Sequence, residues 1–505
     1  MSPSGKTKRK QSKATGMSLP PRPSIYEINT RLWLRELSGH YSRPVTLADV
    51  PAEVWDGLAG FRFDAVWLMG VWERSPAGLA LAVADERLRR SFANALSDAQ
   101  ADDVASSPYC VRRYTVDAAF GGPAGLAAAR TELAARGIGL ILDFVPNHVA
   151  PDHPWVAEHP EYFIHGTSED MTADPADFFE VDGAILAHGH DPALPPWPDV
   201  AQLNAYDPGM RAAAIATLKE LAGQCDGVRC DMAMLLLNDV FGRTWGERAG
   251  PRPAEEFWRE VIPPLRAAFP HLCLIGEAYW NMEWELLQQG FDYCYDKRLY
   301  DRLAHENAGE VRGHLGADPV YQEQMLRFVE NHYEPRAAAT FRGGRALVSA
   351  IAAYTLPGAK LFHQGQFEGY TTRLPVFLTR RPAEPVDRAL HAFYRRLANE
   401  IQTPALKEGQ WRLCALNGWP DNFSYNNLAA WCWQAGDERR VIAVNLSSHT
   451  SQARVQLPWP ELAGQDWVFI DVMDETTYEW SGDEVLNIGL FVELAPWGRH
   501  FFAVR

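Results

Sequence analysis

Eight short apolar runs, spaced by longer stretches of helical period, restrict this chain more than anything else in it. They are SIYEINT (24–30), DAVWLMG (64–70), GLILDF (139–144), DGVRCD (226–231), LCLIGE (272–277), FDYCYD (291–296), LRFVEN (326–331) and AKLFHQG (359–365). Between them GPAGLAAARTELAARG (122–137), DPGMRAAAIATLKELAG (207–223) and VDRALHAFYRRLANE (386–400) are amphipathic, with Asp207-Pro208 placed as helix cap and first turn. Strands alternating with helices form parallel sheets, because each crossover helix covers a sheet face. Eight such units between residues 24 and 405 predict an α/β fold, a (β/α)8 TIM barrel, since these barrels run from about 200 to more than 400 residues.

One interval is too long for a loop. Residues 148–202, after the third strand, are rich in Pro, His, Asp and aromatics without periodicity, which predicts an irregular B subdomain inserted at the barrel's carboxyl end. From 406 to 505 the pattern becomes short alternating runs such as RRVIAVNLS, WVFIDVM and RHFFAVR, predicting a C-terminal antiparallel β-sandwich. Residues 1–23 are basic, small and polar with no apolar core, unlike a signal peptide or membrane anchor, and predict a disordered tail on a cytoplasmic protein. No stretch has the roughly 18 uninterrupted apolar residues of a spanning helix.

The 48 basic and 64 acidic side chains give a net charge of −16, which repels nucleic acid and anionic membranes and excludes both as main partners. Eighteen tryptophans and 17 tyrosines suit wet clefts where one ring face stacks and a polar tip meets water; sugars, apolar on the face and hydroxylated at the rim, fit such clefts. The seven cysteines are scattered through apolar runs with no C-x-x-C pair and read as buried reduced thiols.

Several runs end in ionisable groups: Asp143 with Asn147 and His148, Arg229 with Asp231, Glu277, and Asn331 with His332. A single Asp at a strand end is more often a helix cap. In a barrel, however, all strand ends meet at one face, and four such sites together mark the place of chemistry. Two carboxylates beside a sugar, one ionised and one protonated, are what cleavage of a glycosidic bond requires. Arg229 and Asp231 share a strand face by alternation, so the guanidinium is expected to keep Asp231 ionised and low in pKa, as a nucleophile. Glu277 follows apolar CLIG, whose desolvation suits a general acid and base.

DFVPNH (143–148), GVRCD (227–231), GEAYW (276–280) and FVENH (328–332), in this order, resemble the four motif regions of the α-amylase family, glycoside hydrolase family 13. VAQLN (200–204) is similar to its additional motif, FHQGQFEG (362–369) to its eighth-strand pattern, and the terminal β domain to its domain C. The resemblance implies a retaining enzyme of α-linked glucosides that works through a covalent glucosyl intermediate on Asp231, with Glu277 as acid and base. It also implies that His148, Asn331 and His332 line the −1 sugar subsite, that Tyr109 stacks on that sugar, and that Arg229 and Asp143 orient the nucleophile. It implies no required cofactor, and it marks Asn147 as the residue near which a calcium ion is common in the family.

The sequence also departs from the family. Cys110 and Arg113 stand in the turn after Tyr109 where an aspartate is usual, and Met234-Leu235 stand where amylases proper often carry Lys-His. Tyr333 occupies the position of the third carboxylate after Asn-His. Two readings follow: a hydrolase or transglycosylase acting on α-glucans, maltooligosaccharides or a small α-glucoside, or a catalytically impaired relative that binds glucan or regulates a partner.

Overall fold

The computed structural model describes residues 16–505 apart from Asp182. Eight parallel strands close into a barrel: β1 (Ser24–Asn29), β2 (Ala65–Met69), β3 (Gly139–Phe144), β4 (Gly227–Cys230), β5 (Cys273–Gly276), β6 (Tyr293–Tyr295), β7 (Met325–Arg327) and β8 (Ala359–His363), each paired with its sequence neighbours and β8 with β1. Seven fall within the apolar runs, and β7 starts one residue before its run. Helices Gly122–Ala134, Pro208–Ala222 and Arg388–Glu400 fill the three amphipathic stretches, and Asp207 caps the second by accepting from Met210 N at 2.7 Å.

Strand β7 is shorter than LRFVEN suggests. The Asn331 side-chain oxygen accepts from both Tyr333 N (2.8 Å) and Glu334 N (2.9 Å), a side-chain-built turn that bends the chain out of the sheet. Glu330 is drawn the same way: its carboxylate takes Ala337 N at 2.7 Å and pairs with Arg336 at 3.0 Å.

The inserted B region is more regular than its composition indicates. It contains a four-stranded sheet in the order His148–Val149, Trp197–Gln202, Ala184–Gly189, Phe178–Val181, with strands of two to six residues that are too short to imprint a period on the sequence. A second excursion, between β2 and β3, was not foreseen. Strand Trp72–Arg74 pairs with Val111–Val116, and helices Pro76–Ala84 and Glu86–Ala95 lie between them. Phe92 and Leu96 anchor this excursion on Leu378, in the loop after β8.

The C-terminal domain stacks a six-stranded sheet against a three-stranded one around a separate core that includes Val441, Phe469 and Phe502. Trp431 and Trp433 face the barrel instead, their indole N–H groups donating to Thr355 Oγ1 (3.1 Å) and Thr355 O (2.8 Å). The expected tail, 1–23, lies for residues 1–15 outside the described residues, and residues 16–23 are bound to the barrel. Met17 N donates to Asp226 at 2.9 Å, and Arg22 forks onto Glu323 while stacking 4.7 Å over Trp433. A short segment with a backbone hydrogen bond and a bidentate ion pair does not behave as free chain. All seven cysteines are buried and unpaired. Among the described residues no helix is long and apolar enough to cross a membrane.

Candidate active site

Parallel register brings the charged groups together. Arg229 on β4 lies level with Asp143 on β3 and Ile275 on β5, so its side chain shares the barrel interior with theirs. The guanidinium reaches Asp231 Oδ1 at 2.5 Å, Glu277 Oε2 at 2.6 Å and Asp143 Oδ1 at 3.6 Å. One fork thus holds nucleophile and acid candidates side by side. Glu277 is bound further by Met232 N (2.8 Å) and the Tyr279 hydroxyl (3.0 Å). Asp143 is fixed by Gly70 N at 3.1 Å. Tyr295 accepts from Arg229 Nε at 3.3 Å, and the rings of Trp67 and Tyr109 lie 5.2 and 5.3 Å from the guanidinium carbon.

Burial dominates the electrostatics. Asp231 is 2% exposed and Glu277 0%. Desolvation raises both carboxyls, and Arg229 pulls both back, while the neighbouring Asp231 charge raises Glu277 further. The expectation that Arg229 holds Asp231 low is therefore corrected: removing the carboxylate from water outweighs the guanidinium. Burial also pushes Asp143 up to about 7.

The opposite wall consists of rings. The Tyr333 ring lies 4.3 Å from His332 and 5.7 Å, stacked, from Tyr109. Its hydroxyl is raised well above its ordinary pKa by burial and then by the charges of Asp231 and Glu277. His332 is occupied at both nitrogens, Nε2 with the Tyr109 hydroxyl at 2.7 Å and Nδ1 with the Glu27 carboxylate. Glu27, on β1, is itself pushed up to about 7 by burial. Glu330 is committed to Arg336 and His363, and Glu334 to Lys297 at 3.4 Å. Asn331 keeps a buried amide nitrogen with no partner. A cavity of about 30 Å³, enough for about one water, borders Asn331 and His332.

His148 is buried, and burial drives its pKa down to about 3, so it is a neutral imidazole. Asn147, the expected neighbour of a calcium ion, is paired with Gln202. Its side-chain oxygen accepts from Gln202 Nε2 at 3.0 Å, its amide nitrogen donates to Gln202 Oε1 at 3.2 Å, and among the described residues no group of three or more His, Cys, Asp or Glu is arranged to hold a metal.

Sequence reasoning missed Glu27, Tyr279 and Tyr295. Glu27 had a signal, a carboxylate in the middle of an apolar run. Tyr279 had a weaker one, two residues beyond Glu277. Tyr295 meets Arg229 only through barrel closure.

No protein-family model matches the chain. It is 26% identical over 401 residues to α-1,4-glucan:maltose-1-phosphate maltosyltransferase 2 of Streptomyces coelicolor, covering 74% of this chain and 53% of that protein. It is also 26% identical over 257 residues to α-amylase MalA of Haloarcula japonica, covering 47% of this chain and 33% of that protein. The chain thus spans about a third to a half of the length of these two curated relatives. Among solved structures, the maltogenic α-amylase AmyB of Thermotoga neapolitana superposes with a TM-score of 0.67 at 17% identity, over 95% of this chain and 98% of that one. The fold is that of solved α-amylases.

Proposed function

We infer that the chain is a retaining enzyme of α-glucosidic bonds, a hydrolase or transglycosylase whose substrates are α-glucans, maltooligosaccharides or a small α-glucoside. The observation that carries this is the single Arg229 fork on Asp231 and Glu277, which places two carboxyls together at the carboxyl end of a barrel. In the reaction, an Asp231 oxygen bonds to the anomeric carbon as the bond to the leaving oxygen breaks, and Glu277 gives that oxygen its proton. Water or a sugar hydroxyl then attacks the same carbon, releases Asp231, and returns a proton to Glu277. His148, neutral at working pH, and the free Asn331 amide supply hydrogen bonds to sugar hydroxyls. Tyr333 stands within reach of the carboxyl charges, which raise its hydroxyl pKa, so the sugar must fit against that wall.

The second reading, a glucan-binding relative with impaired chemistry, draws on this aromatic wall and on the commitment of His332 to Tyr109 and Glu27. A fluorinated α-glucosyl fluoride, which slows release of the intermediate, separates the two. Mass spectrometry of the treated protein is expected to show one fluoroglucosyl adduct on Asp231, the anomeric fluoride having left. Ligand binding without an adduct would favour the binding protein.

A further inference from the structure

The joint between barrel and inserted subdomain is built around one side-chain nitrogen. Gln202 is fully buried, and its Nε2 lies 2.9 Å from Asn147 O, 3.0 Å from Asn147 Oδ1 and 2.9 Å from Leu203 O. A primary amide has two N–H groups, so three oxygens share a donor that can serve two of them at a time. Backbone and amide oxygens converging on one point make the kind of cage that holds hard cations, at shorter distances of about 2.3–2.6 Å. The other end of the same carboxamide is used as well. Gln202 Oε1 accepts from Asn147 Nδ2 and from His190 N, each at 3.2 Å. One side chain therefore ties together the chain leaving β3, its own strand Trp197–Gln202, and the end of strand Ala184–Gly189.

We propose that the Gln202 carboxamide takes the place of a bound divalent cation at this joint, so that the subdomain is held on the barrel with no metal requirement. The positive end of the amide dipole satisfies the oxygens of Asn147 and Leu203. Being neutral, it needs no carboxylate to balance it, in keeping with the lack of a metal-holding cluster among the described residues. The arrangement also reaches the site. Asn147 Nδ2 lies 3.3 Å from His148 Nδ1, and a donor there leaves the imidazole proton on Nε2. The metal-free joint stands whether or not the glycosidic reading holds, because its readouts are stability and metal content.

The test uses the full chain. Wild type is expected to show the same Tm in excess EDTA and in millimolar calcium chloride, and no calcium uptake by titration calorimetry. Gln202→Asp shortens the side chain by one methylene, which sets a carboxylate behind the cage and opens room for an ion. It is expected to bind one calcium per chain. At calcium about a hundred times its Kd, the variant's folding equilibrium should rise about a hundredfold, read as a calcium-dependent increase in Tm. Gln202→Ala should lower Tm and take up no calcium. Stoichiometric calcium in wild type, or a fall of its Tm in EDTA, overturns the proposal. So does a Gln202→Asp protein that folds without responding to calcium, or one that calcium fails to refold.

Discussion

Two walls of the same barrel face are built on opposite terms. At the ends of β4 and β5, Arg229 binds both carboxyls, and Glu277 gains two further donors from Met232 N and Tyr279. At the end of β7 the wall is aromatic, with Tyr333 against Tyr109 and His332, and His332 anchored on Glu27. Buried ion pairs seldom stabilise a fold better than apolar side chains of the same volume would. The first wall is thus costly to keep for stability alone, as expected if its two carboxyls are the proposed nucleophile and acid. The second wall presents a neutral phenol, which adds no charge that would help hold the proposed acid protonated.

The largest expected effect breaks the first wall. Asp231→Asn and Glu277→Gln should each lower turnover of an unactivated glucoside by at least about 10³, with Tm and sugar binding close to wild type, because both changes are isosteric. Chromatography of products from maltooligosaccharides and sucrose measures this. A variant that keeps more than a few per cent of activity would remove that residue from the chemistry.

Tyr333→Asp turns the second wall into a charged one. One well-placed transition-state contact is worth about 10² to 10³ in rate, and α-glucan hydrolysis is expected to rise by that factor. The new anion should also raise the Glu277 pKa and move the alkaline limb of the pH profile upward. If the variant is slower than a wild type that already turns over maltooligosaccharides, Tyr333 is a specificity element and the contrast between the walls is one of substrate choice.

Tyr279→Phe probes the first wall more gently. A hydrogen bond to a charged group is worth about 1.5–3 kcal/mol, so kcat/KM should fall by roughly tenfold or more. Losing a donor that favours ionised Glu277 should again shift the alkaline limb upward. An unchanged limb would mean that the Tyr279 hydroxyl only packs.

The same contrast explains what was legible in the sequence. The barrel strands were readable because each is an apolar run between helices, and Asp143, Arg229, Asp231 and Glu277 were readable because they end such runs. The link from Arg229 to Glu277 was not, since it depends on which residue of β5 lies level with β4. Strand β7 was read too long because VEN continues an apolar run, while the Asn331 side chain ends it. The sheet of the B region and the helical excursion before Tyr109 are held by tertiary contacts such as Phe92 on Leu378, which no local pattern encodes. Tyr333 stood out in the sequence as a substitution, but its stacking on Tyr109 required the excursion to be in place.

The smallest expected effect compares the walls through stability. Asp143 lies on the charged side and Glu27 behind the aromatic one, and burial lifts each to about 7 in the folded chain. Unfolded carboxyls titrate near 4. Between about pH 4 and pH 7 these two folded carboxyls therefore hold protons that the unfolded chain has released, so their contribution to stability falls as pH rises through this window, while buried His148 and His332 contribute with the opposite sign. Each such group contributes at most about 1.4 kcal/mol per pH unit to that fall. Asp143→Asn removes one of them and is expected to flatten the decline measured by urea unfolding across the window. Glu27→Gln should flatten it too, because the His332 left behind, whose pKa burial drives well below its ordinary value, does not take up the proton in its place. Equal flattening by the two variants would mean that the walls do not differ in how their carboxyls are held, and no flattening by Asp143→Asn would mean that Asp143 stays ionised beside Arg229.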